Sequence, residues 1–286
     1  MQRATTALNR KARNLFLLSF TLAAAWFGIN LVGPNLAAGR FPVRLGIMLL
    51  STVIFLYGLS RALKRTEFSP TKRRSTWFVV ASVLTLWIAT AWVLAANGVF
   101  HRSIGQVPSL PIAILVPIAL GMFVLTRSKT VASLLDATPP SWLIGLQMYR
   151  ILGIVFVVYW IRGSMPGAFA FPAGVGDVAA GLLALSAAVW VATGSPAGRQ
   201  IGIRWNIFGL TDFAVALTMG MLTSPGPLQL LARDHPNTMI ATFPTAMVPA
   251  FIVPFSTLLH VLSLRQFARL QTTPAITKEK SLLVAV

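Results

Sequence analysis

Five polar or charged residues lie inside long apolar stretches of the sequence, where such side chains are costly. They are Gln147, Arg150, Asp177, Asn206 and Asp212. A charged side chain at the centre of a bilayer costs about 2.5–3.5 kcal/mol on insertion scales, so it persists only beside a partner or a polar cavity. Because these residue types can bind a charged solute or pass protons along, we predict that they form one substrate-binding or proton-relay site.

Arg150 and Asp212 are expected at the same depth in the membrane. Each follows the predicted cytoplasmic start of its helix, near Trp142 and Arg204 respectively, by about 12 Å at a rise of 1.5 Å per residue. We therefore predict an ion pair between Arg150 and Asp212. The predicted helix of Asp177 begins on the outer side of the membrane. We expect Asp177 in its first turn, about 8 Å below the outer surface.

Two interpretations of these residues remain open. In the first, they line a polar cavity of a small-solute transporter or permease, with Arg150 as the anion contact and Asp212 as its counter-ion or a proton carrier. In the second, the ion pair fixes helix register, Asp177 caps its helix, and the protein is a structural or regulatory membrane subunit. A solvent-inaccessible Arg150 in a packed structure would refute this version of transport, in which Arg150 contacts the solute.

Other chemical sites have little support in the sequence. Cysteine is absent, and no two of the three histidines are expected to share a face and a depth, so we predict no metal and no other cofactor. His260 is interpreted as an interfacial residue or a cation near a helix C-terminus. An intramembrane enzyme would need a nucleophile or an acid and base pair near an interface, and Asp177 is alone there, so no catalytic residue is predicted.

The elements that must position these residues are transmembrane helices. Of 286 residues, 56% are hydrophobic and 10% are charged, and the mean hydropathy is +0.75, which is far too apolar for a soluble domain. About 20 apolar residues in a helix span the roughly 30 Å hydrocarbon layer. We predict an all-α polytopic membrane protein of about eight transmembrane helices, at residues 14–33, 45–63, 77–96, 108–126, 142–161, 174–193, 204–222 and 244–264.

The basic residues predict the orientation of these helices. Most of the 24 Lys and Arg residues fall in alternate loops, and because basic residues are retained in the cytoplasm, both termini are expected there. We predict one transmembrane domain over residues 1–265 and a cytoplasmic tail over 266–286. Similar proline runs at 108–117 and 244–254 are compatible with a repeat of two four-helix halves.

The lipid bilayer is the predicted partner of this chain. The net charge of +18 is explained as a topology signal, so no nucleic-acid partner is inferred from it. A small charged solute is the partner that the transport interpretation requires. The second loop also offers six basic residues to anionic lipid headgroups, namely Arg61, Lys64, Arg65, Lys72, Arg73 and Arg74.

Three segments of the second half carry a family resemblance. They are Gly145-Leu146-Gln147-Met148-Tyr149-Arg150, Pro172-Ala173-Gly174-Val175-Gly176-Asp177 and Trp205-Asn206-Ile207-Phe208-Gly209-Leu210-Thr211-Asp212. With these segments the chain resembles uncharacterised bacterial multi-spanning inner-membrane proteins. The resemblance implies a multi-pass location in the bacterial inner membrane and brings no known activity.

Overall fold

A computed structural model describes residues 2–32, 41–101, 103–104 and 107–283, and side chains within 5–32, 46, 49–101 and 108–270. Most of these residues are helical. A pair of two-residue antiparallel strands, β1 (Ser103–Ile104) and β2 (Val107–Pro108), joins two of the helices. The α-helices are α1 (Gln2–Val32), α2 (Phe41–Lys64), α3 (Pro70–Ala96), α4 (Ser109–Arg127), α5 (Lys129–Ala137), α6 (Pro140–Gly145), α7 (Val155–Ile161), α8 (Gly167–Val191), α9 (Pro196–Thr223) and α10 (Val253–Leu283).

Seven helical stretches of the described residues are long and apolar enough to cross a membrane, which confirms an all-α polytopic membrane protein. They are Thr5–Val32, Pro70–Ala96, Ser109–Arg127, Pro140–Ile161, Gly167–Val191, Pro196–Thr223 and Val248–Leu270. The remaining predicted span, 45–63, lies within α2, and some of its first side chains are outside the described residues. The cytoplasmic placement of the termini and the repeat of two halves stay predictions.

Local sequence explains where several of these helices begin. The side chain of Ser69 accepts a hydrogen bond from the backbone N–H of Lys72, and Pro70 occupies the first turn of α3. Ser195 caps α9 in the same way by accepting from the N–H of Gly198, again just before a proline. A serine cap followed by proline satisfies a free N–H group and presets the helical φ, which fixes the helix start.

The predicted span 142–161 is helical but is not one regular α-helix. It consists of α6, a nine-residue 3₁₀ segment at Leu146–Ile154, and α7. A second irregular stretch, the π segment Val248–Ile252, precedes α10. Such long irregular stretches are uncommon inside helices and often occur at functional or strained positions. The helix α10 then continues to Leu283, through most of the predicted tail.

The predicted start of the sixth span was wrong. It was expected at residue 174, whereas α8 begins at Gly167 and continues through Pro172. Asp177 is consequently ten residues into α8, about 15 Å along its axis. It therefore cannot cap the start of this helix.

Helix α8 is central to the packing around these residues. It packs against α1, α9 and the 3₁₀ segment. A Cβ atom at Gly181 would lie 2.5 Å from the backbone nitrogen of Ile151, so glycine is required for the contact between α8 and the 3₁₀ segment. On the other side, α10 packs against α4, α6 and α9, and its Phe255 and Leu259 belong to the main apolar core.

Candidate functional site

Arg150 occupies the middle of the 3₁₀ segment and is buried, with only 3% of its surface exposed. Side chains three residues apart eclipse each other in a 3₁₀ helix, which places Gln147 and Arg150 on the same side of the segment. An arginine buried at this level requires several acceptors, because its guanidinium carries five N–H donors and retains its charge.

The guanidinium of Arg150 contacts three further helices at once. Its Nε donates to Asp177 Oδ1 on α8 at 2.8 Å, and one Nη donates to Asp212 Oδ2 on α9. The other Nη lies 3.0 Å from His260 Nε2 on α10. The guanidinium carbon also lies 3.9 Å from the ring centre of Phe213, an arrangement favourable for a cation–π interaction. Arg150 therefore joins four separate elements of the fold.

A chain of hydrogen bonds leads from Arg150 through His260 to α9. Because an arginine N–H can only donate, His260 Nε2 must accept from Arg150, and its proton must be on Nδ1. Nδ1 lies 2.9 Å from Asn206 Oδ1 and donates to it. The amide nitrogen of Asn206 in turn donates to Ser263 Oγ at 3.0 Å and to the carbonyl of Gly202 at 2.8 Å. The network thus fixes one tautomer of a neutral histidine.

The charges in this cluster do not cancel. We define the Arg150 cluster as Arg150, Asp177, Asp212, His260 and Asn206. With His260 neutral, one guanidinium faces two carboxylates, which leaves a net charge of −1 when both carboxylates are ionised. An uncompensated charge is costly in a low-dielectric environment. One added proton would make the cluster neutral.

Glycines allow the charged side chains to approach each other closely. A Cβ atom at Gly176 would overlap the carboxylate of Asp212, with 2.6 Å to its Cγ. A Cβ atom at Gly209 would overlap the imidazole of His260 and lie 2.9 Å from an Nη atom of Arg150. At Gly153 it would lie 2.7 Å from Asp177 Oδ2. Glycine therefore occupies the positions of the 3₁₀ segment, α8 and α9 where the side chains of the cluster come closest to the backbone.

The structure brings together four of the five residues proposed from the sequence. Asp177, Asn206 and Asp212 surround Arg150 directly or through one histidine, and the proposed contact between Arg150 and Asp212 is present. Gln147 is fully buried, but its amide forms no hydrogen bond with them or with any other described residue.

Sequence reasoning missed His260. It was interpreted as an interfacial residue or a cation near a helix C-terminus, but it is fully buried and hydrogen-bonded to Arg150. The available signal was Ser263, which follows at a spacing that puts both polar groups on one helix face. Among the described residues, no group of three or more His, Cys, Asp or Glu could hold a metal ion.

The chain matches a family model described as a domain of unknown function (DUF8737) over residues 107–268, more than half of its length. The chain belongs to this family. The matched segment contains every residue of the Arg150 cluster and Gln147, whereas α1, α2 and α3 precede it. No curated protein and no solved structure matches the chain. The protein is thus a multi-spanning membrane member of the DUF8737 family with a charged cluster inside the family segment.

Proposed function

We propose that this protein is a regulatory membrane subunit that responds to protons. One proton bound at the Arg150 cluster sets how α8, α9 and α10 pack around the 3₁₀ segment. The observation that carries the proposal is the sharing of one guanidinium between two carboxylates and a neutral imidazole. The resemblance noted in the sequence supports the bacterial inner membrane as its setting.

The electrostatics of the cluster favour uptake of a proton. Two carboxylates that share one cation repel each other, and this repulsion is strong where water is scarce. Protonation of either carboxyl group removes the excess charge and leaves a matched pair of opposite charges. The side chain of Asp177 is 16% exposed, against 5% for Asp212, so Asp177 is the carboxyl group that exchanges protons with the surroundings more directly.

Loss of the proton would act on three helices at once. Asp177, Asp212 and His260 belong to α8, α9 and α10, and all three contact the same guanidinium. When the second carboxylate becomes ionised, the new repulsion is directed between α8 and α9. The packing of these helices therefore responds to pH without any other ligand.

A small-solute permease is the second candidate function, and two observations favour it. The buried amide of Gln147 has two polar atoms without hydrogen-bond partners among the described residues, and it is on the same side of the 3₁₀ segment as Arg150. Irregular backbone such as the 3₁₀ and π segments is typical of membrane helices that line a binding cavity. The burial of Arg150 argues against direct contact of a solute with this residue in the present conformation.

The test is the pH dependence of unfolding of the detergent-purified protein, for the wild type, Asp212→Asn and Asp136→Asn. A native state that holds one proton more than the unfolded chain loses about 1.4 kcal/mol of stability per unit of rising pH. We expect this slope in the wild type as the pH rises above about 4, the ordinary pKa of an aspartate in an unfolded chain, until the cluster has released its proton. Asp212→Asn removes the excess charge permanently and should flatten the slope.

Asp136→Asn is the matched control, because Asp136 forms an exposed ion pair with Arg269 outside the cluster. This variant should keep the slope of the wild type. A wild-type protein whose stability does not change with pH would refute the proton-responsive site. In the same assay, a solute that raises the melting temperature of the wild type but not of Gln147→Ala would favour the permease.

A further inference from the structure

A large apolar cavity lies apart from the Arg150 cluster, between the N-terminal helices and the family segment. Its volume is about 1530 Å³, above the roughly 300–1,000 Å³ of ordinary small-molecule sites. Residues of α1, α2, α3, α4, α5, α6, α8 and α10 line it, and none of the cluster residues does. The cavity therefore needs an occupant of its own, and a bilayer offers one of suitable size.

The polar residues of the cavity lining are gathered at one end. Lys11 is in the first third of α1, Arg61 is near the end of α2, and Thr193 follows the end of α8. Since successive helices run in opposite directions, these positions lie on the same side of the membrane, the predicted cytoplasmic side. Three further lining residues carry hydroxyl groups: Tyr57, one turn before Arg61, and Thr138 and Ser141, at the junction of α5 and α6. Most of the remaining lining, such as Leu120 and Phe255, is apolar.

The length of the apolar part matches one leaflet. Along α4 the lining extends from Leu125 to Val116, about 14 Å at 1.5 Å per residue. One leaflet contributes about half of the roughly 30 Å hydrocarbon core. An acyl chain that begins at the basic end therefore has apolar walls over most of its length.

The charge at the polar end selects the headgroup. Lys11 and Arg61 are both exposed, and neither has an ion-pair partner within the described part of the chain. The described lining contains no Asp or Glu that would repel an anion. Arg65 lies over the ring of Trp142, another lining residue, and adds a third cation near this end.

We propose that this cavity binds one anionic phospholipid, with its phosphate between Lys11 and Arg61 and its acyl chains between the N-terminal helices and the family segment. The lipid then acts as a structural ligand that fills the space between α2, α4 and α10. This proposal is independent of the Arg150 cluster.

The test is thermal unfolding of the detergent-purified protein titrated with phosphatidylglycerol or with zwitterionic phosphatidylethanolamine. A lipid that binds the folded state raises the melting temperature. We expect phosphatidylglycerol to bind more tightly than phosphatidylethanolamine. Lys11→Gln with Arg61→Gln should weaken phosphatidylglycerol binding about 25-fold, because each removed cation accounts for about 5-fold. The control pair Arg10→Gln with Lys64→Gln removes the same charge from residues that do not line the cavity, and it should retain most of the affinity.

A second pair of variants tests the apolar part. Gly58 lines the cavity and Gly28 does not, and a Cβ atom at either position would meet no atom within 4 Å. Gly58→Phe should therefore displace an acyl chain and abolish the shift, whereas Gly28→Phe should keep it. Equal shifts with both lipids, or equal effects of the cavity and control variants, would overturn the proposal.

Discussion

Replacing Gly209 by alanine is the most direct perturbation of the Arg150 cluster. The change adds a single methyl group to α9 and alters no charge. This methyl group would overlap the imidazole of His260 and lie 2.9 Å from an Nη atom of Arg150. Neither neighbour can easily move, because His260 is held by Asn206 and Arg150 by two carboxylates.

The expected cost follows from these contacts. Overpacking of a well-filled interior costs about 1–3 kcal/mol. If the imidazole turns away instead, the hydrogen bond from Arg150 to His260 is lost and a buried donor remains without an acceptor, which costs about 1–3 kcal/mol. Either route gives the same range, so we expect Gly209→Ala to lower the free energy of unfolding by about 1–3 kcal/mol.

The assay is equilibrium unfolding of the detergent-solubilised protein, monitored by its far-ultraviolet circular dichroism. Gly220→Ala is the matched control on the same helix, since its Cβ atom would lie 3.6 Å from Phe169 Cε2, an ordinary contact distance. We expect this control to remain within about 1 kcal/mol of the wild type. Equal stabilities of the two variants would refute the close packing of α9 against His260 and Arg150.

Three further substitutions probe the ionic contacts by the same unfolding measurement. Arg150→Lys keeps the charge, but an ammonium cannot contact three helices as the planar guanidinium does, so we expect the free energy of unfolding to fall by about 3 kcal/mol. A decrease below about 1 kcal/mol would contradict the need for a guanidinium. His260→Ala leaves Asn206 without its donor and should cost about 1–3 kcal/mol, whereas an unchanged stability would argue against the buried network. Arg269→Gln removes an exposed ion pair and should cost less than about 1 kcal/mol, so a larger loss would be unexpected.

The transmembrane helices were predictable because lipid imposes a simple rule on the sequence. An apolar run of about 20 residues must be helical to satisfy its backbone, whatever its neighbours are. Irregularities within a run are decided differently. The 3₁₀ segment packs closely against α8 at Gly181, and a contact between residues 30 positions apart is not visible in any local pattern.

The charged site was predictable only in part. Equal depth was enough to pair Arg150 with Asp212, because depth follows from position along a helix. Asp177 was expected at the start of its helix, whereas α8 begins ten residues earlier and continues through Pro172, a residue that usually ends or kinks a helix. His260 was missed because packing against α4 and α9 determines which face of α10 is directed toward Arg150. The sequence of α10 alone does not specify this face.

The single arginine shared by three later helices also has a consequence for biosynthesis. Asp177, Asp212 and His260 follow Arg150 by 27, 62 and 110 residues, so the cation is synthesised before all of its partners. At about 5–20 residues per second, even Asp177 emerges from the ribosome about 1–5 s later. During that interval Arg150 has no carboxylate beside it, and its stable entry into lipid must wait for α8. Membrane insertion of the 3₁₀ segment and α8 should therefore occur as one event, so that a nascent chain truncated between them leaves Arg150 accessible to water-soluble reagents.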